Sequence, residues 1–400
     1  MNMKKRELIL FLTALSTRVL CAFVAGDRNS DLDEVGYALN FLHGNGLVLE
    51  WACGIKRYSY WPPGFPVILA GYIKIFGQSW IYFRLFMAVF GALICLSLYR
   101  LARRMVGESF ALTAGFWLAI YPPQIFWSTR MNPRSIASDL LVLIPWVAID
   151  CREIDKLRSS ILGGAWGFLC LFRAEYFLGC FGMAAWIWLV VRKGKRRLAT
   201  QAAFWLTFSL VMSPWIITNW KIHHRFVLAT TLGDSFYMTF NPGYDYSGNV
   251  LFVNDQRLMK NLTGKTDMQI NDYLMSQALA YIRSNPYVLP RTLLGNFLNF
   301  WRPYLHPKAV SGKENALYVA SYLPVFLLFL RALFKIPWNS PPWVLVIGLI
   351  AYQCFAHLPF YALVNFREMI APLLILTAAA GLPFWDLRSN SHSPSQNSST

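Results

Sequence analysis

Residues 81–101 read IYFRLFMAVFGALICLSLYRL, and Arg103 and Arg104 follow directly. A helix that crosses a bilayer needs about 20 mostly apolar residues. Basic residues concentrate at the end of this stretch, which is typical of a transmembrane helix whose basic end faces the cytoplasm. The stretch therefore predicts a membrane span, and the rest of the chain repeats its pattern.

The composition of the whole chain agrees with this interpretation. Of 400 residues, 56% are hydrophobic and 14% are charged, whereas a soluble domain is about 45–50% apolar and about 25% charged. The net charge of +17 indicates membrane topology rather than a nucleic-acid partner, because the basic residues form short clusters between apolar runs. The seven cysteines form no CxxC pair and lie mostly in apolar runs, so neither a disulfide framework nor a structural zinc is predicted.

The apolar runs predict an all-α polytopic membrane protein with about ten transmembrane helices and both termini in the cytoplasm. The stretch 160–191 has basic clusters on both sides, so it is interpreted as two short helices with Arg173, Ala174 and Glu175 at the tip. The first span shows no small-residue cleavage site, so we expect it to be retained. The remaining predicted spans are 7–25, 81–101, 108–127, 135–150, 199–217, 315–334, 341–359 and 369–386.

This topology divides the chain into four parts. Residues 1–217 form an N-terminal membrane module that contains a first outer loop, 26–80. Residues 218–314 form a modest extracytoplasmic loop region, and residues 315–387 form the C-terminal membrane helices. The Ser/Asn-rich tail 388–400 is predicted to be disordered.

The first outer loop contains two predicted amphipathic helices. From Ser30 to about His43, apolar residues recur at helical spacing beside a polar stripe, as in a helix that lies on the membrane surface. The segment YSYWPPGFP (58–66) predicts a rigid turn with interfacial aromatic residues. The helix that follows, from Val67 to Phe76, is too short to span comfortably, so we expect it to be re-entrant or to lie at the surface.

Three carboxylates, Asp31, Asp33 and Glu34, stand at the start of the first of these helices. Ser30 followed by Asp33 resembles a capping box, and acidic residues are favoured at helix N-termini. These carboxylates also suit catalysis at the headgroup level, and an Asp in the first turn can serve both purposes. Such a cluster could hold a divalent cation, but it lacks a second carboxylate motif, so metal binding is left open and no other cofactor is predicted.

The order of the motifs Asp-Glu-x-x-Tyr, Gly-x-Gly and Pro-Pro-Gly-Phe-Pro resembles that in the GT-C glycosyltransferases. More narrowly, it is similar to bacterial relatives of the protein O-mannosyltransferases and of the lipid A aminoarabinose transferase (glycosyltransferase families 39 and 83). One departure is Asn132-Pro133-Arg134, where members often carry an acid. Further segments similar to the family are Arg84, Tyr121–Ser128, Leu171–Arg173, Pro214–Trp220, Tyr281–Pro286, Phe300–Pro303 and Asn365–Glu368.

The resemblance implies a GT-C-like fold and an inverting enzyme in the bacterial inner membrane. Such an enzyme takes a hexosyl or pentosyl group from a polyprenyl-phosphate carrier and passes it to an extracytoplasmic acceptor, which could be a protein, a lipid or a glycan. It implies that Asp33 acts as the general base, with Glu34 next and Asp31 a weaker third. Membrane lipids are the other expected partners.

A leaving phosphate needs cationic partners, and arginine offers a planar fork of donors. Intramembrane arginines are expensive and usually functional, whereas interfacial snorkelling is an alternative that stays open for Arg57 and Arg130. Asp139, an acid within the fourth span, could simply pair with an arginine. The predicted substrate-binding residues are Asp31, Tyr37, Arg57, Tyr58, Arg84, Arg130, Arg134, Arg173 and Arg367.

Other functions fit a polytopic chain as well. A transporter or lipid flippase would place broken helices and charges at the bilayer midplane. A polysaccharide polymerase or ligase would use an arginine-rich outer loop without the acids of the first loop. A catalytically inactive scaffold of the same fold is the third alternative.

Overall fold

The computed structural model describes residues 3–26, 32–51, 54–149, 154–191, 194–246, 255–306 and 310–383, and the described chain is mostly helical. In the first half the elements are α1 (Met3–Ala25), α2 (Leu32–Leu42), β1 (Val48–Glu50), β2 (Lys56–Tyr58), α3 (Gly64–Phe76), α4 (Trp80–Met105), α5 (Glu108–Ile120), α6 (Pro122–Ser128), α7 (Arg134–Ile149), α8 (Lys156–Phe172), α9 (Gly179–Val190) and α10 (Lys195–His223). In the second half they are α11 (Leu232–Thr239), α12 (Gln256–Leu262), α13 (Asp267–Ser284), α14 (Val288–Trp301), α15 (Gly312–Ala332), α16 (Pro341–His357), α17 (Val364–Arg367) and α18 (Ala371–Ala380).

Every predicted membrane segment overlaps helices of the structure, so the all-α membrane fold is confirmed. Within the described ranges, α1, α4, α10 and α15 are long and apolar enough to cross a membrane, and several shorter apolar helices accompany them. Large apolar side chains on the outside of α10, such as Leu206 and Leu210, are exposed. An exposed apolar surface of this kind is what a lipid environment covers.

Two predicted spans differ in detail from the structure. The span 108–127 is divided at Tyr121, because Pro122 has no backbone N–H to donate and its ring excludes a continuous helix. The span 199–217 is part of the longer helix α10, which continues to His223. Tail residues 384–400 lie outside the described part of the chain.

Ion pairs and hydrogen bonds join neighbouring helix ends at each of the two ends of the bundle. The predicted topology places one end of the bundle in the cytoplasm, which we call the inner end, and the other outside it, which we call the outer end. At the inner end, Arg6 in α1 pairs with Glu108 at the start of α5 (2.8 Å), and Arg100 near the end of α4 pairs with Glu7 (3.0 Å). At the outer end, Arg84 near the start of α4 joins the end of α1 to the turn before α7. Basic residues at the start of α1 and near the end of α4 therefore lie together at one end of the bundle.

The predicted hairpin of two short helices within 160–191 is present. Helix α8 ends at Phe172, a 3₁₀ turn covers Ala174–Tyr176, and α9 returns. Helix α8 packs closely along α10, because Gly163 lets the backbone carbonyl of Phe204 approach where a larger residue would clash. This hairpin carries its tip to the outer end of the bundle.

The outer region is built on a small β-hairpin that the sequence did not predict. Strands β1 and β2 pair antiparallel with Val48 opposite Tyr58 and Glu50 opposite Lys56. Ile55 at the hairpin turn belongs to an apolar cluster with residues of α12 and α13. The hairpin therefore anchors the outer helices beside the first loop.

Candidate functional site

The predicted rigid turn before α3 touches the hairpin tip through Gly64. A Cβ atom at this position would lie 2.7 Å from the carbonyl oxygen of Leu171 and 3.1 Å from the side chain of Phe172. Only glycine permits such an approach of backbone to backbone. The Pro-Pro-Gly-Phe-Pro segment is thereby held against the end of α8, directly before Arg173.

At this tip, Arg173 and Glu175 form a close ion pair. Both Nε and Nη2 of Arg173 lie 2.6 Å from Oε1 of Glu175. Burial alone would raise the pKa of the Glu175 carboxyl, but the positive charge of Arg173, aided by His357, outweighs it and lowers the pKa below its ordinary value. Glu175 is therefore ionised at neutral pH and orients the Arg173 guanidinium.

His357, at the end of α16, faces the same carboxylate. Its Nε2 lies 3.8 Å from Oε1 of Glu175, while its Nδ1 lies 2.8 Å from the backbone carbonyl oxygen of Gln353. A carbonyl only accepts, so Nδ1 carries the proton and donates it there. In the neutral ring the unprotonated Nε2 is then directed toward the tip.

Arg134 and Arg173 meet around the ring of Phe366. The guanidinium carbon of Arg173 lies 5.4 Å from the ring centroid, and that of Arg134 lies 6.0 Å from it. Arg134 also stacks on Trp127 at 4.5 Å. The half-buried Tyr361 makes an edge-to-face contact with the same Phe366 ring. Two predicted arginines from different hairpins thus converge at the outer end, and we call Arg134, Arg173, Glu175, His357 and Phe366 the arginine centre.

The turn 129–135, which joins α6 to α7, is fixed from below by Arg84. This buried arginine donates through Nη1 to the carbonyl oxygen of Thr129 (2.9 Å) and through Nε to that of Gly26 (3.2 Å). Its donors thus hold protein backbone, so the structure places Arg84 as a brace for the turn. Arg130 lies on this turn with its guanidinium 4.6 Å from the Phe126 ring.

Helix α2 carries the predicted catalytic acids in its first turn. Asp33 is exposed in its first turn and Glu34 is half-buried. On its other face, Val35 belongs to an apolar cluster with Ile136, two residues after Arg134, and Phe172, one residue before Arg173. Helix α2 itself packs against α3 and β1, and α3 in turn packs against α8, which ends directly before Arg173. Asp31 lies outside the described residues.

Tyr37 differs from its predicted place in the polar stripe of this helix. It is fully buried, donates its hydroxyl to the carbonyl oxygen of Trp61 (3.1 Å) and makes an edge-to-face contact with the Trp61 ring. Burial raises the pKa of its phenol, so it stays protonated. Tyr37 joins α2 to the proline-rich turn.

Arg57 is engaged by protein groups on every side. Its Nε lies 2.9 Å from Oδ1 of Asp267, its Nη1 lies 3.1 Å from Oδ2 of Asp234, and its Nη2 donates to the carbonyl oxygen of Thr230 (2.8 Å). Its guanidinium also stacks on Trp51 at 4.4 Å. The structure thus places Arg57 as a buried tie between β2 and helices α11 and α13, rather than at a surface where it could snorkel.

Two further predicted substrate-binding residues, Tyr58 and Arg367, contact protein groups outside the arginine centre. Tyr58 exposes its side chain, while its backbone N–H donates to Oδ1 of Asp267 (3.1 Å). Arg367 is fully buried: its Nη1 donates to the carbonyl oxygen of Phe300 (2.6 Å), and its guanidinium lies 3.5 Å from the Tyr322 ring centroid. Arg367 thus holds α14 and α15 together beneath the site.

Sequence reasoning missed Glu175 and His357 as parts of the site. Glu175 stands two residues after Arg173 in an otherwise apolar stretch, and this spacing was the available signal. His357 belongs to an apolar helix and gave none. Among the described residues, no group of three His, Cys, Asp or Glu side chains is arranged to hold a metal ion. Oδ2 of Asp139 is buried and has no hydrogen-bond partner among the described residues, so the pairing of this acid with an arginine stays a prediction.

The central part of the chain matches a known family in sequence. Residues 61–220 match the sequence model of the dolichyl-phosphate-mannose-protein mannosyltransferase family. This range contains the proline-rich turn, the turn 129–135 and the hairpin tip. No curated protein matches the chain.

Solved structures share the fold over most of the chain. The apo oligosaccharyltransferase of Archaeoglobus fulgidus matches with a TM-score of 0.57 and 14% identity, over 94% of this chain and 50% of that one. The same archaeal protein, AglB, in complex with an inhibitory peptide and a dolichol-phosphate matches with a TM-score of 0.56 and 12% identity, over 94% and 50%. ArnT from Cupriavidus metallidurans bound to undecaprenyl phosphate gives a TM-score of 0.43 and 14% identity, over 94% and 76%.

The resemblance inferred from the motifs is thus found again in two independent comparisons. The chain spans about half the length of the archaeal enzyme, so the likeness concerns the membrane fold. In sequence over residues 61–220 and in fold over most of its length, the chain is similar to the GT-C glycosyltransferases and, among them, to the dolichyl-phosphate-mannose-protein mannosyltransferase family.

Proposed function

We propose that the chain is a membrane glycosyltransferase that moves a sugar from a polyprenyl-phosphate carrier to an extracytoplasmic acceptor. The observation that carries this proposal is the convergence of Arg134 and Arg173 around Phe366. The helix that bears Asp33 shares an apolar cluster with Ile136 and Phe172, which stand close to these arginines in the sequence. The family match supports a phosphate-linked donor. A related fold was solved with a dolichol-phosphate, which supports a carrier of the same chemical class.

In the proposed reaction, an acceptor hydroxyl attacks the anomeric carbon as its proton passes to the Asp33 carboxylate. The bond between this carbon and the phosphate oxygen breaks, and the polyprenyl phosphate leaves with the bonding electrons. A single displacement inverts the configuration at the anomeric carbon. One base and one stabilised leaving group are therefore sufficient.

Arg134 and Arg173 are the proposed partners of the leaving phosphate. Charge develops on the phosphate as the bond breaks, and arginine donors positioned beforehand stabilise that charge more strongly in a dry site than in water. Glu175 holds Arg173 in place from the opposite side. Glu34 is the second candidate base, since it follows Asp33 in the same helical turn.

Transfer from a panel of radiolabelled polyprenyl-phosphate sugars tests this proposal. Membranes that carry the wild-type chain should consume one donor of the panel. Asp33→Asn should lower this rate by about 10²- to 10⁴-fold, the usual contribution of a general base. Asp272→Asn is the matched control, because this exposed carboxylate of α13 pairs only at the surface with Arg225, and it should transfer at the wild-type rate.

The remaining outcomes separate the alternatives. Equal transfer by wild type and Asp33→Asn, with loss in Glu34→Gln, would move the base to Glu34. Movement of the intact lipid-linked sugar across vesicles without bond cleavage would support a flippase instead. Growth of a polymer that does not depend on either acid would support a polymerase or ligase.

A further inference from the structure

The turn 129–135 holds buried donors that the proposed reaction does not use. We propose that this turn, together with the start of α7, is a second anion-binding site that takes an additional phosphoryl or carboxylate group of a substrate. The substrate origin of the ligand rests on the proposed function, whereas the binding itself does not. The residues of this site are Arg130, Asn132 and Ser135, and we call it the α7 anion site.

The first argument is that these side chains hold buried donor atoms without a hydrogen-bond partner. Asn132 is 3% exposed and Ser135 is 1% exposed. Nδ2 of Asn132, Oγ of Ser135 and Nε of Arg130 are buried and have no hydrogen-bond partner among the described residues. A buried donor left without a partner costs about 1–3 kcal/mol. Amide and guanidinium N–H groups only donate, so the missing partner must be an acceptor.

The second argument is the position of the turn at the start of a helix. Helix α7 begins at Arg134 and runs for 16 residues. The N–H groups of its first turn have no acceptor within the helix, and the helix dipole favours negative charge there. Oδ1 of Asn132 accepts the N–H of Arg134 at 3.0 Å. Because Oδ1 and Nδ2 belong to one amide group, Nδ2 of Asn132 also lies near this helix terminus.

The third argument is the charge and rigidity of the turn. Residues 129–135 read TRMNPRS and contain two arginines and no acid. The buried Arg84 holds the Thr129 carbonyl at 2.9 Å, so the turn is positioned before any ligand arrives. No acidic side chain within residues 129–135 therefore competes with an incoming anion for these donors.

Two substrates could bring the second anionic group. A donor linked through a diphosphate would place one phosphoryl group at the arginine centre and the other at the α7 anion site, because Arg134 belongs to both neighbourhoods. An acceptor with a phosphoryl or carboxylate group would reach the site separately from the donor. Both share the chemistry of an anionic oxygen at a helix start, and binding measurements separate them.

The test is equilibrium binding to the purified full-length chain in detergent, with polyprenyl monophosphate, polyprenyl diphosphate and inorganic phosphate as probes. The key variant is Asn132→Asp, because its carboxylate still accepts the Arg134 N–H while an oxygen replaces the buried donor. Ser135→Ala removes the second donor without adding charge. Ser138→Ala is the matched control, since this buried hydroxyl of α7 already donates to the carbonyl oxygen of Met369 (2.8 Å).

If the donor brings the group, diphosphate binds at least tenfold more tightly than monophosphate, and Asn132→Asp abolishes this preference. If the acceptor brings it, the two carriers bind equally, but inorganic phosphate still stabilises the chain saturated with polyprenyl monophosphate, and Asn132→Asp removes that effect. In both cases Ser135→Ala reduces the measured quantity several-fold, whether it is the preference for diphosphate or the stabilisation by inorganic phosphate. Ser138→Ala leaves that quantity unchanged.

Identical binding of all three probes by wild type, Asn132→Asp and Ser135→Ala would overturn the proposal. Water rather than an anion would then be the partner of the buried donors. Asp272→Asn should bind every probe as the wild type does, because this exposed carboxylate of α13 pairs at the surface with Arg225. A chain that binds through the α7 anion site but transfers no sugar would refute the proposed function alone.

Discussion

Gly64 is the residue on which the contact between the proline-rich turn and the hairpin tip depends. The carbonyl oxygen of Leu171 leaves no room for a Cβ atom at this position. The motif Pro-Pro-Gly-Phe-Pro was visible in the sequence, but the reason for its glycine lies more than a hundred residues further along the chain. A local pattern can therefore indicate the turn without revealing what the turn touches.

We expect Gly64→Ala to lower the free energy of unfolding by about 1–3 kcal/mol, because the added methyl group overpacks the contact with α8. Carrier transfer should fall as well, since the shift displaces the residue before Arg173. Thermal unfolding in detergent and the transfer assay measure both effects. Gly71→Ala in the same helix meets nothing within 4 Å, so it should unfold at or slightly above the wild-type temperature. Equal behaviour of the two variants would contradict the argument.

The six predicted arginines show which part of the site the sequence could reveal. The sequence selected all six as candidate ligands of the phosphate, because arginines within or beside a membrane are expensive and usually functional. In the structure, Arg57, Arg84 and Arg367 are buried. Arg57, Arg84 and Arg367 hold backbone carbonyls or buried carboxylates of distant elements. Arg134 and Arg173 instead converge at the outer end. Residue type and local context are alike in both groups, so only the tertiary partners separate them.

At the scale of elements, the β-hairpin and the outer helices are joined by one buried ionic cluster. Arg57 lies between Asp234 of α11 and Asp267 of α13. The sequence did not reveal this arrangement, because strands of three residues are too short for an alternating pattern and the two acids are distant in sequence. The α8–α9 hairpin, in contrast, could be predicted, since basic clusters on both sides determine where its ends lie.

Arg57→Gln should lower the free energy of unfolding by about 3–5 kcal/mol, because two carboxylates are left buried without their cation. Arg225→Gln is the matched control: its pair with Asp272 is 56% and 51% exposed, and such pairs contribute about 0–1 kcal/mol. Denaturant unfolding in detergent measures the difference. Similar losses in both variants would show that the buried cluster does not hold the outer helices.

The same cluster makes stability depend on pH. Burial outweighs the attraction of Arg57 and raises the pKa of Asp234 to about 6, and burial raises the pKa of Asp267 as well. The groups that face Asp234 are Arg57 and Tyr60 of the hairpin region, Asp267 of α13 and Tyr361. A carboxyl with a raised pKa binds its proton more tightly in the folded state, so its contribution is full below its ordinary pKa and is lost as pH rises through about 6.

We therefore expect the wild type to lose stability relative to Asp234→Asn between pH 4 and pH 7, because the amide does not titrate in this range. Unfolding temperatures of both chains, measured in the same detergent at steps of one pH unit, test the sign. A constant difference across this range, or one that grows in favour of the wild type, would contradict it.

At the scale of the whole molecule, the helix ends form two layers with different chemistry. The inner layer carries ion pairs among Arg6, Glu7, Arg100 and Glu108. The outer layer carries the arginine centre, the α7 anion site and the hairpin cluster. Apolar length and basic flanks predicted this layering, because the bilayer acts on every span in the same way. The side-chain partners within the outer layer result from packing between spans and could not be predicted.

The orientation of these two layers decides which compartment holds the acceptor. In a chain whose seven cysteines are replaced by alanine, single cysteines at the exposed positions Lys260 and Lys313 should react with a membrane-impermeant maleimide on intact spheroplasts. Cysteines at the exposed positions Lys156 and Lys195 should react only after detergent opens the membrane. The reason is that the basic inner layer remains in the cytoplasm.

The reverse pattern would place the arginine centre in the cytoplasm and would exclude an extracytoplasmic acceptor. Labelling of all four positions in both conditions would show that the spheroplasts leak, and a soluble cytoplasmic protein labelled in parallel detects this. Because the donor carrier reaches the outer face only after its sugar has crossed the bilayer, the expected orientation also implies that a separate step delivers the loaded carrier to this chain.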